Sequence, residues 1–150
     1  MEVKIESKPG FMVVGITHRS KGGTDEIPAL WGRLMARFGE VTYLLQGGGS
    51  YGVMANYDEE TGEFDYVAGL PVGSGEDVPA GMDLWQIPEQ PYAVFTFPFS
   101  EISKSYDYAS RVWPQESGSE RSGGIEMEYY PVEFSPDDPS SLMQCWMPVR

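Results

Sequence analysis

Hydrophobic and polar positions along the chain switch between two periods, and the switches mark out its elements. Phe11-Met12-Val13-Val14-Gly15-Ile16 is dense in β-branched residues and predicts a strand, closed by a polar turn from Arg19 to Gly23. Ile27, Leu30, Trp31, Leu34, Met35 and Phe38 then recur at i, i+3, i+4, i+7, i+8 and i+11, the spacing of one helical stripe. Thr24 is the predicted cap of that helix and Pro28 suits its first turn. Beyond Gly47-Gly48-Gly49, the runs Tyr51 to Tyr57 and Phe64 to Val72 predict an antiparallel hairpin. Gly73 to Gly81 reads as a loop dividing the chain near its middle.

The second half repeats this order. Tyr92 to Phe97 is a predicted strand and Ser100 a predicted cap. Ile102, Tyr106, Ala109 and Trp113 form a weaker helical stripe expected to end at Pro114. Ile125 to Tyr130 and Leu142 to Val149 predict a second strand pair, separated by a turn at Pro136-Asp137-Asp138-Pro139. Gly69-Leu70-Pro71-Val72 is answered by Trp146-Met147-Pro148-Val149 77 residues on, and Met12-Val13-Val14 by Ala93-Val94-Phe95 81 residues on. The slip falls in the loop between helix and hairpin, where insertions cost little.

The predicted class is therefore α+β: a duplicated strand-helix-strand-strand module. Its antiparallel sheet carries two helices on one side, with a ligand cleft where the halves meet. One domain spans 1–150, with pseudo-repeats at about 1–72 and 84–150.

Composition narrows the chemistry. The 23 acidic residues against 10 basic ones give a formal charge of −13. That field favours cationic ligands and disfavours direct nucleic-acid binding, which needs clustered Lys and Arg. The single cysteine, Cys145, precludes an internal disulfide, and no signal-like segment or apolar run of bilayer length is present; a cytoplasmic, non-membrane protein is expected. One His and one Cys offer little to zinc, and no cofactor or metal is called for. Gly47-Gly48-Gly49-Ser50 lacks the Lys of a phosphate loop.

Several phrases resemble the GyrI-like small-molecule-binding family, related to effector-binding domains of AraC-type and multidrug-responsive regulators. They are Ile27-Pro28-Ala29-Leu30-Trp31, Tyr51-Gly52-Val53, Phe64 to Gly69, Ile87-Pro88 before Tyr92 to Phe95, Trp113 to Gly118, Met127-Glu128-Tyr129-Tyr130 and Met147-Pro148-Val149. The resemblance implies the duplicated module and its cleft, with an acidic residue, Glu128, facing that cleft. With no helix-turn-helix before residue 1, a stand-alone member is expected.

Strand alternation puts Glu126, Glu128 and Tyr130 on one face and Ile125, Met127 and Tyr129 on the other. If the Ile and Met face packs on the helices, the Glu face lines the open side. Glu128 has two chemical uses there: attracting a cation among aromatic rings, or activating water as a general base. Trp31, Trp85 and Trp113 are candidate stacking partners for a planar ligand, and Tyr51, Tyr66 and Tyr130 candidate hydroxyl donors. The leading reading is binding of a hydrophobic, cationic aromatic compound, for sensing or sequestration. The alternatives are a hydrolase of electrophiles using Glu128 and a protein-interaction module such as one acting on gyrase.

Overall fold

The computed structural model describes residues 1–23 and 25–150. Eight strands form one antiparallel sheet: β1 (Glu2–Lys8), β2 (Phe11–Ser20), β3 (Ser50–Ala55), β4 (Phe64–Val72), β5 (Asp83–Ile87), β6 (Gln90–Pro98), β7 (Glu126–Tyr130) and β8 (Leu142–Pro148). They lie in the order β1-β6-β8-β7-β3-β4-β2-β5. Exchanging β1 to β4 for β5 to β8 reverses this order onto itself, so the halves meet where β3 pairs with β7. The α+β class and the two hairpins stand as predicted.

Two strands escaped sequence reading. β1 carries only Val3 and Ile5 as apolar residues, and β5 follows a Gly- and Pro-rich loop, so neither shows a strong strand pattern. Each is an edge strand that crosses to the other half: β1 pairs with β6, and β5 with β2. Only Pro9 and Gly10 connect β1 to β2, and only Pro88 and Glu89 connect β5 to β6. Two residues span about 10 Å at most. The sheet must therefore curl until its ends meet. The two turns abut, since a Cβ on Gly10 would lie 3.2 Å from the Ile87 carbonyl oxygen. The curl buries the sheet face away from the helices, where Val13, Val53, Val67, Tyr92, Val94 and Met127 form a core of their own.

The other face carries helix α1 (Ile27–Ala36) over the first half. Over the second lie α2 (Ile102–Asp107), a π-helical turn (Tyr108–Val112) and α3 (Trp113–Ser117) in succession. Glu26 is the N-cap residue of α1 and makes no side-chain cap; Thr24 lies outside the described residues. The helix stops at Ala36, short of the predicted Phe38, because the Arg37 amide turns back to the Leu34 and Met35 carbonyls and a 3-10 turn (Phe38–Glu40) follows. Ser100 likewise does not cap; it sits inside a 3-10 turn (Phe99–Glu101).

Pro114 does not end the second helix. The Trp113 amide bonds to the Tyr108 carbonyl five residues back, and this wider turn absorbs a residue that has no N–H of its own. The helix runs on to Ser117 and is closed by Gly118, which takes the left-handed conformation (φ 74°) common at helix ends.

The apolar stripe of α1 proves to have two edges. Leu30 and Leu34 are fully buried on the sheet, whereas Met35 and Phe38 stay 46% and 43% exposed. The exposed edge, with Ile27 and Trp31, faces a cavity rather than the core.

Candidate functional site

The cavity, of about 970 Å³, lies between α1 and α2 above the central strands. Ile27, Trp31, Met35 and Phe38 line it from the first half. Phe99, Ile102 and Tyr106 line it from the second, with Tyr66, Glu128 and Tyr130 rising from the sheet. Loops containing Leu44 to Gly49 and Pro131 to Phe134 frame it. Its volume suits a drug-sized molecule.

Glu128 therefore points toward the helices, not away from them. The sequence expectation that its face would be the open side is corrected. Met127 and Tyr129 point instead into the core behind the sheet, which the curled edges close. The helices stand apart over the middle of the sheet, and the gap between them makes the Glu128 side both helix-covered and accessible.

The Glu128 carboxyl group lines this cavity and is buried, with only 9% of the residue exposed. Three tyrosine hydroxyls donate to it. Tyr66 and Tyr130 reach Oε1 at 2.6 and 3.0 Å, and Tyr106 reaches Oε2 at 3.1 Å. The Trp31 indole N–H donates to the Tyr66 hydroxyl at 2.9 Å, so that hydroxyl is turned toward Glu128. The Trp31 and Tyr130 rings meet edge to face, with centroids 5.5 Å apart. Among the described residues no ion pair reaches Glu128.

Burial pushes the Glu128 carboxyl above the ordinary carboxylate range, while hydrogen bonds from Tyr66, Tyr130 and Tyr106 pull it back. Burial also raises the hydroxyls of Tyr66, Tyr106 and Tyr130, with the nearby Glu128 charge adding to it, so all three remain protonated donors at neutral pH. Beneath them Cys145, the cross-strand partner of Glu128, is buried and its thiol is pushed up to about 12. It is a packing residue.

Of the residues singled out from sequence, Glu128, Tyr130, Trp31 and Tyr66 come together in the cavity. Trp85, Tyr51 and Trp113 do not line it, and those three expectations are corrected. Trp85 and Tyr51 project from the sheet face opposite Glu128. Trp85 donates to the Thr17 hydroxyl there, and Tyr51 packs between Phe11 and Tyr129. The parity of Tyr51, one residue from Gly52 on β3, already sends it away from Glu128. Trp113 is buried under the second helix, edge-on to Phe95 at 5.3 Å. The π turn rotates it onto the sheet.

Sequence reading passed over two residues of the site. Tyr106 falls on the predicted packing stripe of the second helix, yet its hydroxyl completes the Glu128 shell. Gly52, opposite Glu128 across the β3–β7 pair, leaves the space that shell occupies. The signal for Tyr106 was its place on the cavity edge of the second helix, at the spacing Phe99, Ile102, Tyr106.

A curled sheet with two helices framing one apolar, acid-centred cavity defines a small-molecule-binding domain. The chain belongs to the family of the GyrI-like small molecule binding domain, whose model matches residues 1–150. It is 36% identical over 152 residues to the transcriptional regulator BrlR of Pseudomonas aeruginosa, a match covering 99% of this chain and 56% of that protein. The chain thus spans about half the length of that curated relative. Among solved structures, SAV2435 bound to tetraphenylphosphonium superposes with a TM-score of 0.81 at 16% identity, over 100% of this chain and 94% of that one. The EcmrR C-terminal domain superposes at 0.68 and 12% identity, over 99% of this chain and 97% of that one. At such identities these two likenesses are of fold. Within the described residues no helix is long and apolar enough to cross a membrane.

Proposed function

We propose that the cavity binds hydrophobic aromatic cations, with Glu128 as counter-charge, and serves ligand sensing or sequestration. The observation that carries this reading is a buried carboxyl group held by three neutral donors, with no ion pair among the described residues, in a largely apolar chamber. A buried charge without an ionic partner costs several kcal/mol. A bound cation offsets that cost: at about 4 Å and an effective dielectric near 20, the attraction is about 4 kcal/mol.

The walls select among cations. A compact, strongly hydrated ammonium loses more hydration on entering an apolar chamber than a large cation whose charge is spread over aromatic groups. Trp31, Tyr130 and Phe134 offer rings to such a ligand, each worth roughly 0.5–2 kcal/mol where a cation lies against a face. The tetraphenylphosphonium bound by the structural neighbour SAV2435 is a cation of this kind. The match to a transcriptional regulator supports a sensing role.

Calorimetric titration with tetraphenylphosphonium and with neutral triphenylphosphine oxide tests the proposal. Glu128→Gln keeps the shape and removes the charge. Its affinity for the phosphonium is expected to fall by about tenfold or more, with little change for the neutral compound. Equal losses for both ligands would refute charge recognition. Steady product release from an electrophilic ester, abolished in the same variant, would assign Glu128 to water activation instead.

A further inference from the structure

The two edges of the sheet are counterparts in the fold but not in chemistry. β1 is exposed except at Val3, which packs on the core, and Lys8, whose ammonium lies 4.7 Å from the centre of the Phe11 ring; Ile5 at its centre leaves 59% of its surface to solvent. Its sequence, Glu2-Val3-Lys4-Ile5-Glu6-Ser7-Lys8, alternates sign at every second residue and sums to zero charge within a chain of −13. Alternate residues of a strand share a face, so all four charges lie on one side. One side of β1 pairs with β6; among the described residues no strand pairs with the other.

Charged side chains on an edge strand ordinarily keep it single. This pattern differs because it is complementary to its own reverse. If two copies of β1 lie antiparallel with Ile5 opposite Ile5, Glu2 faces Lys8 of the second copy, and Lys4 faces its Glu6. By symmetry each of these two pairings occurs twice, and the Lys4–Glu6 pairing lies nearer the axis, clear of the ring contact that Lys8 already makes with Phe11. Ile5 meets Ile5 at the axis, covering the exposed side chain. The register also respects the ladder, because residues of like parity, whose backbone groups point outward together, face one another.

The opposite edge lacks these properties. β5, Asp83-Leu84-Trp85-Gln86-Ile87, is shorter and carries one acid with no basic residue to oppose it.

We propose that the chain forms a two-fold dimer by antiparallel pairing of β1 with β1 of a second copy, centred on Ile5, joining two eight-stranded sheets into one of sixteen. The contact is one strand pair with its flanking side chains, the scale of a weak and reversible dimer. It leaves the ligand site open, because β1 stands three strands, about 14 Å, from β7.

Sedimentation equilibrium of the full chain from micromolar to millimolar concentration, at physiological salt, tests this. The wild type is expected to pass from monomer to dimer, and no heavier. Glu6→Lys places Lys4 opposite a second lysine at two symmetric positions, and is expected to weaken dimerisation by about tenfold or more. Adding Lys4→Glu restores the complementarity in reversed sign, and with it the dimer.

A monomeric wild type throughout the range would overturn the proposal. So would a Glu6→Lys variant that dimerises as well as wild type, or a double variant no better than the single one. Circular dichroism and phosphonium titration of each variant report the fold and the cavity separately from self-association.

Discussion

Gly52 and Glu128 face each other across the pair that joins the two halves, and the space a side chain would fill on Gly52 is taken by the Glu128 carboxylate. A Cβ there would lie 2.6 Å from Glu128 Oε1 and 2.2 Å from the Tyr66 hydroxyl, both closer than real contacts allow. The hydrogen bond between Tyr66 and Glu128 exists because one half of the molecule keeps a glycine where the other has its acid.

Gly52→Ala should therefore damage charge recognition specifically. The added methyl separates Tyr66 from Glu128, at an overpacking cost of about 1–3 kcal/mol. Phosphonium affinity, read by calorimetry, is expected to fall about tenfold. Affinity for a neutral ligand of similar size should change far less. In a Glu128→Gln background the same substitution should have little further effect on phosphonium affinity, the mark of a residue acting through Glu128.

The pH dependence of stability carries the signature of a raised carboxyl. Below the ordinary carboxylate range Glu128 is protonated in both folded and unfolded chains. As pH rises, the unfolded chain loses its proton first, and the folded state is penalised until pH passes the raised value. The Glu128 contribution to stability is therefore lost with rising pH over that window. Tyr66, Tyr106, Tyr130 and Cys145, the titratable groups around it, are all shifted upward and stay neutral there. Urea unfolding at successive pH values should show this decline in wild type and not in Glu128→Gln.

Phosphonium binding should follow the opposite slope. A permanent cation binds the ionised carboxylate, so affinity rises with pH through the same window, with release of a proton on binding. Calorimetry in buffers of different ionisation enthalpy would reveal that proton. Its absence at a pH where free Glu128 is protonated would contradict the pairing.

Two of the tryptophans that do not line the cavity give a negative control and a stability probe, and Trp31 a test of the site. Trp85→Phe removes a donor to Thr17 on the far face and should leave ligand affinity unchanged within about twofold. Trp113→Ala opens a void against Phe95 and is expected to cost about 3–5 kcal/mol in unfolding free energy. Trp31→Phe keeps a ring but removes the N–H that orients Tyr66, so it should weaken phosphonium binding without a comparable loss of stability.

Much of the fold was legible along the chain because it rests on local signals. The period of the α1 stripe, the apolar runs of β3, β4 and β8, the alternation in β7, and the echo of Gly69 to Val72 in Trp146 to Val149 all reflect burial of local segments. Alternation likewise paired Glu128 with Tyr130 on one face. β1 and β5 were not legible, because each acquires its neighbour from the opposite half, β1 with only two apolar residues and β5 as five residues after a Gly- and Pro-rich loop.

The sequence by itself determined the α+β class, the duplication and an acidic residue among aromatic ones. Tertiary structure alone decided which face of the sheet the helices cover. That choice placed Tyr51 and Trp85 behind the sheet, turned Trp113 inward through the π turn, and brought Tyr66 and Tyr106 from distant segments onto one carboxylate. The reason is geometric: periodicity distinguishes two faces, but which of them meets the helices depends on how the sheet curls when β1 and β5 change halves.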